Sequence, residues 1–145
     1  MIGTLALSSL MIGLTVSIHV VGLLLLARML RHYAARMQRR PDAVHQTVAV
    51  MIVVLGLVGV HTIEIWAYAI LYRLLGAFGD METALYFSTV TFTTLGYGDV
   101  VLGKGWRLLA AIEAANGLLL FGWSTAFLIT VIARVPILRH DNRSS

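Results

Sequence analysis

Three stretches of this chain are long and apolar enough to cross a lipid bilayer as helices, and that limits its fold more than any other feature. They run from Met1 to Ala27, from Thr47 to Tyr72 and from about Leu108 to Ala133. A spanning helix takes roughly 20 apolar residues. The first stretch carries no charged side chain, the second only Glu64 and the third only Glu113. Apolar residues surround each helix axis, as expected where the solvent is lipid. Of the 145 residues, 59% are hydrophobic and 12% charged. A soluble domain is roughly 45–50% apolar and about 25% charged. The expected fold class is therefore an all-α membrane protein with three transmembrane helices. No Lys or Arg precedes the first stretch and no cleavage site follows it, so it reads as a membrane helix and not as a signal peptide.

The net charge of +4 lies beside the apolar stretches. It reads as a topology signal, and no nucleic-acid partner is expected. Arg28, Arg31, Arg36, Arg39 and Arg40 crowd the first connection, and Arg134, Arg139 and Arg143 follow the third stretch. In the second connection Arg73, Lys104 and Arg107 are balanced by Asp80, Glu82 and Asp99. This distribution predicts an N-terminus outside and a C-terminus in the cytoplasm. Pro41 and Pro136 restrict the residues before them away from helix. Membrane lipid is the expected surrounding partner, with the basic connection able to touch anionic headgroups. With no cysteine, disulfides and thiolate metal sites are excluded.

Residues 73–107 are too many for a tight turn. Gly76 to Gly79 reads as a loop, and Asp80 as an N-cap accepting from the backbone N–H of Glu82 or Thr83. Met81 through Phe92 then reads as a short helix of about 18 Å, enough to enter a bilayer halfway. The return path is Thr93-Thr94-Leu95-Gly96-Tyr97-Gly98-Asp99. Non-helical backbone at membrane depth survives only against protein or beside water. Alternating ordinary residues with permissive glycines lets successive carbonyls point to one side, as oxygen sites for a bare cation.

This heptapeptide resembles the selectivity filter of pore-loop potassium channels, whose filter is TVGYG. T-x-G-Y-G-D arises by chance in such a chain with odds of order one in ten thousand at average residue usage. The resemblance extends over the outer helix, short pore helix, filter and inner helix, from about Thr47 to Ala133. Leu95 departs from the usual Val or Ile, a packing change that leaves its carbonyl in place. The first helix matches neither the plain two-helix channels nor the six-helix voltage-gated ones. The implied layout is an N-terminal helix in 1–30, a basic cytoplasmic connection in 31–46, a pore domain in 47–135 and a cytoplasmic tail in 136–145. Within the pore domain fall an outer helix (47–73), a re-entrant pore helix (81–92), the filter (93–99) and an inner helix (107–134).

The resemblance implies a homotetramer in the plasma membrane, the bacterial inner membrane, conducting K+ passively. The carbonyls of Thr94, Leu95, Gly96 and Tyr97, with Gly98 and the Thr94 hydroxyl, would bind K+ in place of water. Thr93 and Asp99 would support the filter. Tyr97 would point away from the axis, and Tyr86 and Phe87 occupy the place of a bracing aromatic pair or simply pack their helix. The negative end of the pore-helix dipole would favour a cation. No cofactor is expected beyond K+ as the permeant ligand, and no auxiliary subunit is inferable.

The polar residues inside the spans leave alternatives open. Glu64 shares a helix face with His61 and Tyr68. It serves either as a structural hydrogen bond to the pore helix, the favoured reading, or as a proton sensor. Asn116 could face a water-filled cavity, and Gly117 and Gly122 could be hinges or packing glycines. His19 reads as a packing residue, since no second histidine stands near it at ligand spacing. No voltage-sensor arginine pattern is present, and the tail after Pro136 is too short for a ligand-binding domain. His32 and His45 add a weak pH-sensing possibility. A weakly selective cation channel and a non-conducting membrane subunit remain competing readings. No nucleophile–base pattern points to an enzyme.

Overall fold

The computed structural model describes residues 1–36 and 43–133. Arg39, Arg40, Pro41, Arg134, Pro136, Arg139 and Arg143, on which part of the orientation argument rests, lie outside the described residues. Four helices are present: α1 (Ile2–Arg36), α2 (Ala43–Leu74), α3 (Met81–Phe92) and α4 (Arg107–Ile132). Among the described residues there is no strand. The protein is all-helical, and α1, α2 and α4 are long and apolar enough to cross a membrane.

α1 and α2 run antiparallel, and glycines bring them together. A Cβ on Gly22 would lie 2.4 Å from Val60 Cγ2, and one on Gly56 would lie 2.2 Å from Leu26 Cδ2. Each helix offers a missing side chain to the other, the usual route to close contact where lipid removes any hydrophobic drive. Leu23, Leu26, Val53, Leu57 and, from α4, Val131 bury themselves around this seam.

The end of α2 is closed by a Schellman motif. Gly76 has φ +65°, the Ala77 N–H donates to the Tyr72 carbonyl, and the Gly76 N–H donates to the Arg73 carbonyl. α3 then starts at Asp80, whose carboxylate accepts from the Thr83 N–H at 2.7 Å and the Thr83 hydroxyl at 2.8 Å. These bonds hold the Asp80 carboxyl below its ordinary pKa. Phe87 buries α3 against α2, its ring edge-on to Tyr72 at 5.3 Å and 5.1 Å from Phe78. Of the two aromatic residues considered as braces, Phe87 thus faces its own chain's core.

α4 closes the bundle over α1, α2 and α3. Gly117 is where it meets α3: a Cβ there would fall 2.1 Å from the Phe92 carbonyl oxygen. The structure therefore uses Gly117 for a close backbone approach. Gly122 has nothing within 4 Å of an added Cβ.

Candidate functional site

The segment from Thr93 to Asp99 leaves the C-terminus of α3 and lies exposed along one side of the chain. Its course starts with a second Schellman turn. The Leu95 N–H donates to the Val90 carbonyl at 3.0 Å, and the Thr94 N–H to the Thr91 carbonyl at 2.9 Å. The left-handed position, normally glycine, is here Thr94 with φ +60°. A β-branched residue in that region is a true outlier and costs about 1–3 kcal/mol. Two residues on, Gly96 has φ +57°, and two further on Gly98 has φ +79°. Positive φ therefore occurs at 94, 96 and 98, alternating with ordinary backbone at Leu95 and Tyr97.

In a regular strand successive carbonyls point to opposite sides. Reversing the sign of φ at every second residue brings them toward one side. Among the described residues, no hydrogen bond ends on the carbonyl oxygens of residues 94–98. A short ribbon of unpaired peptide oxygens thus sits between helices that are otherwise apolar. Such an arrangement can replace the water around a dehydrated cation.

The ribbon is anchored at both ends. At its start, Thr93 Oγ1 donates to the Thr89 carbonyl at 2.7 Å. At its end, the Tyr86 hydroxyl donates to Asp99 Oδ2 at 2.7 Å, and Asp99 Oδ1 accepts from the Val100 N–H at 3.0 Å. The Tyr86 hydrogen bond holds the Asp99 carboxyl below its ordinary range. Tyr86 therefore ties α3 to the far end of the ribbon. Within one chain Tyr97 is 67% exposed and Leu95 56% exposed.

Behind α3 stands a joint that the sequence reading did not find. Glu113 of α4 accepts a short hydrogen bond from the Tyr72 hydroxyl of α2. Its other oxygen lies 2.6 Å from Ser88 Oγ of α3, which also lies 2.9 Å from the Ile65 carbonyl of α2. The Ser88 proton serves one of these two acceptors. All three side chains are buried, so one carboxyl joins three helices where no water competes.

The acid expected to tie the outer helix to the pore helix was Glu64, and the structure corrects this. Glu64 turns the other way, toward α1. Its Oε1 lies 3.0 Å from His19 Nδ1 and its Oε2 lies 2.9 Å from His61 Nδ1. His61 Nε2 is in turn 2.9 Å from Ser124 Oγ on α4. The carboxylate that bonds α3 is Glu113. His19 also departs from expectation, because its second histidine stands on another helix where sequence spacing cannot reveal it. Asn116 differs too. It is buried, donating to Thr15 Oγ1 of α1 at 2.7 Å, with the Tyr68 hydroxyl at 3.4 Å. It points into its own chain's interior and not into a cavity.

A family described as ion channel matches residues 48–134, more than half of the chain. The chain belongs to this ion-channel family. It is a multi-pass membrane protein, and the family is one of two-helix pore-loop channels and not of enzymes. The match takes in α2, α3, the ribbon and α4, and it leaves α1 outside. No curated protein and no solved structure matches the chain significantly. For this ion channel, α1 is therefore an addition to the family's core, joined to it through His19, Thr15 and Gly22.

Proposed function

We propose that the protein is a potassium-selective channel in which four copies bring their Thr93–Asp99 ribbons to one axis. The observation that carries this reading is the alternation of positive φ at Thr94, Gly96 and Gly98 along a row of unpaired carbonyls. One chain supplies one row, and an ion in a ring needs several. Closed rotational symmetry is the usual solution for identical chains. K+ is the cargo, held by the carbonyls of Thr94, Leu95, Gly96 and Tyr97 and by the Thr94 hydroxyl. The exposure of Leu95 and Tyr97 within one chain supports a role in packing against neighbouring copies. The exposed apolar face of α4, including Leu108, Leu118, Leu119 and Ile129, supports the same assembly.

In this reading the ribbon opens to the outside, and the basic end of α1 faces the cytoplasm of a bacterial cell. The end of α3 adds a partial negative charge toward the permeant ion. The reading calls on no cofactor or nucleic acid for conduction, and no auxiliary subunit is inferable.

The test is flux of K+ against Na+ with purified protein in liposomes, alongside a mass measurement of the oligomer. Gly96→Ala and Gly98→Ala are expected to abolish K+ flux while the tetramer persists. An added Cβ at either site meets nothing within 4 Å in its own chain. The loss would come from the left-handed backbone, which costs a side-chain-bearing residue about 1–2 kcal/mol. Unchanged K+ flux in both variants would remove the filter assignment.

A further inference from the structure

We propose that His19, His61 and Glu64 form a binding site for a divalent transition metal ion of the zinc class. The three residues are buried where α1, α2 and α4 meet, and one ligand atom from each lies within 4.8 Å of the others. The nitrogen–oxygen separations are 3.0 and 2.9 Å. Ligands bound to zinc at about 2.0–2.1 Å in a tetrahedron stand about 3.3 Å apart. The nitrogen–oxygen pairs need to open by a few tenths of an ångström, while the wider separations, within 4.8 Å, close toward that value around an ion.

Charge favours a cation there. Among the described residues, no lysine or arginine pairs with Glu64; its ionic partners are the two imidazoles. With both rings neutral, the cluster holds a full negative charge among apolar helices. A buried charge of that kind is costly unless paired or bound to metal.

Coordination needs the Nδ1 lone pair of each ring, with the ring proton on Nε2. A neutral ring with its proton on Nδ1 moves it to Nε2 with no net release, and only a second ring proton or one on the carboxyl leaves to solvent as the ion enters, so charge balances. In the contacts as they stand, His61 Nδ1 donates to Glu64 and its Nε2 accepts from the Ser124 hydroxyl, both at 2.9 Å. A hydroxyl can accept as readily as donate, so Ser124 can turn to hold the Nε2 proton that coordination requires. A partner of this kind behind a ligating histidine fixes its ring and raises its basicity. The rings are walled in by aromatics, His61 4.2 Å from Phe121 and His19 5.4 Å from Trp123. Two imidazoles and one carboxylate suit Zn2+, Co2+ or Ni2+ and do not suit K+, Mg2+ or Ca2+. The site is thus distinct from any path for a permeant alkali ion. Three protein ligands leave a fourth position for water. A bound ion would bolt α1 to α2 and, through Ser124, bias the position of α4.

The test uses the full-length protein with any affinity tag removed, and Co2+ as the probe. The expected result is a visible ligand-field band that saturates at about one Co2+ per chain and is bleached by Zn2+. His19→Gln, His61→Gln and Glu64→Gln should each weaken binding at least tenfold, and Ser124→Ala about tenfold. His45→Gln should leave it unchanged. Absence of the band in the wild-type protein would overturn the proposal, whatever the variants do. Binding retained in all three ligand variants would overturn it too. The readout is spectroscopic, so it stands or falls apart from ion selectivity.

Discussion

Two joints hold this molecule together, one behind α3 and one beside α1, and each pairs a buried carboxyl with glycine. At the first, Glu113 meets hydroxyl groups and Gly117 meets the backbone oxygen of Phe92. At the second, Glu64 meets imidazoles, while Gly22 and Gly56 meet the ends of Val60 and Leu26 side chains. The partners differ in what they can do. Hydroxyls orient a carboxyl but do not exchange protons near neutral pH, whereas imidazoles do, and they bind metals as well. Backbone cannot move aside, whereas side-chain ends can. The first joint is built to be rigid and the second to be adjustable. Rigidity falls behind the ribbon, where, on the proposed function, small displacements would spoil a ring of oxygens. Adjustability falls at the helix that the family match leaves out.

The contrast can be broken most directly at Glu113. Glu113→Ala would strand the Tyr72 hydroxyl and open a cavity among three helices. A destabilisation of about 3–5 kcal/mol is expected, read as earlier loss of helix content in detergent titration. Glu64→Ala should cost less, about 2–3 kcal/mol, and should loosen α1 alone. Amide exchange that rises in α1 but stays low in α3 would sharpen the contrast, and equal rises in both would end it.

Glycine substitutions probe the same difference at smaller scale. Gly117→Ala forces a Cβ against an immovable carbonyl, and a loss near the upper end of about 1–3 kcal/mol is expected. Gly22→Ala meets a stiff β-branched valine and should cost about 1–2 kcal/mol. Gly56→Ala meets the end of a leucine and should cost least of the three. Thermal unfolding of the purified protein gives the ranking, and a reversed order would refute the rigid-against-adjustable reading.

The smallest effect expected is at the exposed end of the ribbon. Asp99 titrates below its ordinary value of 3.8 because Tyr86 donates to it. Its folded pKa is depressed, so its contribution to stability is present above that ordinary value. The contribution is lost as pH falls through the lower folded value. In Tyr86→Phe this acid dependence should shrink. A pH series of unfolding midpoints below pH 5 checks it, and an unchanged profile would show that the Tyr86 link carries no stability.

Much of the local architecture was legible. Apolar length marked the three long helices, and Asp80 followed by a helix-forming run marked α3. The glycines at 96 and 98 signalled the positive φ that the ribbon adopts, because conformational permissiveness belongs to the residue itself. Thr94 was legible only in part: its place in the motif was clear, but nothing local announced a left-handed threonine. The spacing showed His61 beside Glu64, but the partners that buried polar residues find on other helices were not legible. Asn116 looked free to face a cavity and faces Thr15 instead, 101 residues away.

What the sequence alone determined, then, was which segments are helical and where the backbone must leave the helix. Those properties follow from length, apolarity and the φ,ψ range of single residues. Which acid serves which joint was decided only by the tertiary structure. Helices that are apolar nearly all round mark no face for packing. The partner of Glu64 was therefore set by where Gly22 and Gly56 let α1 and α2 approach, 45 residues apart at His19.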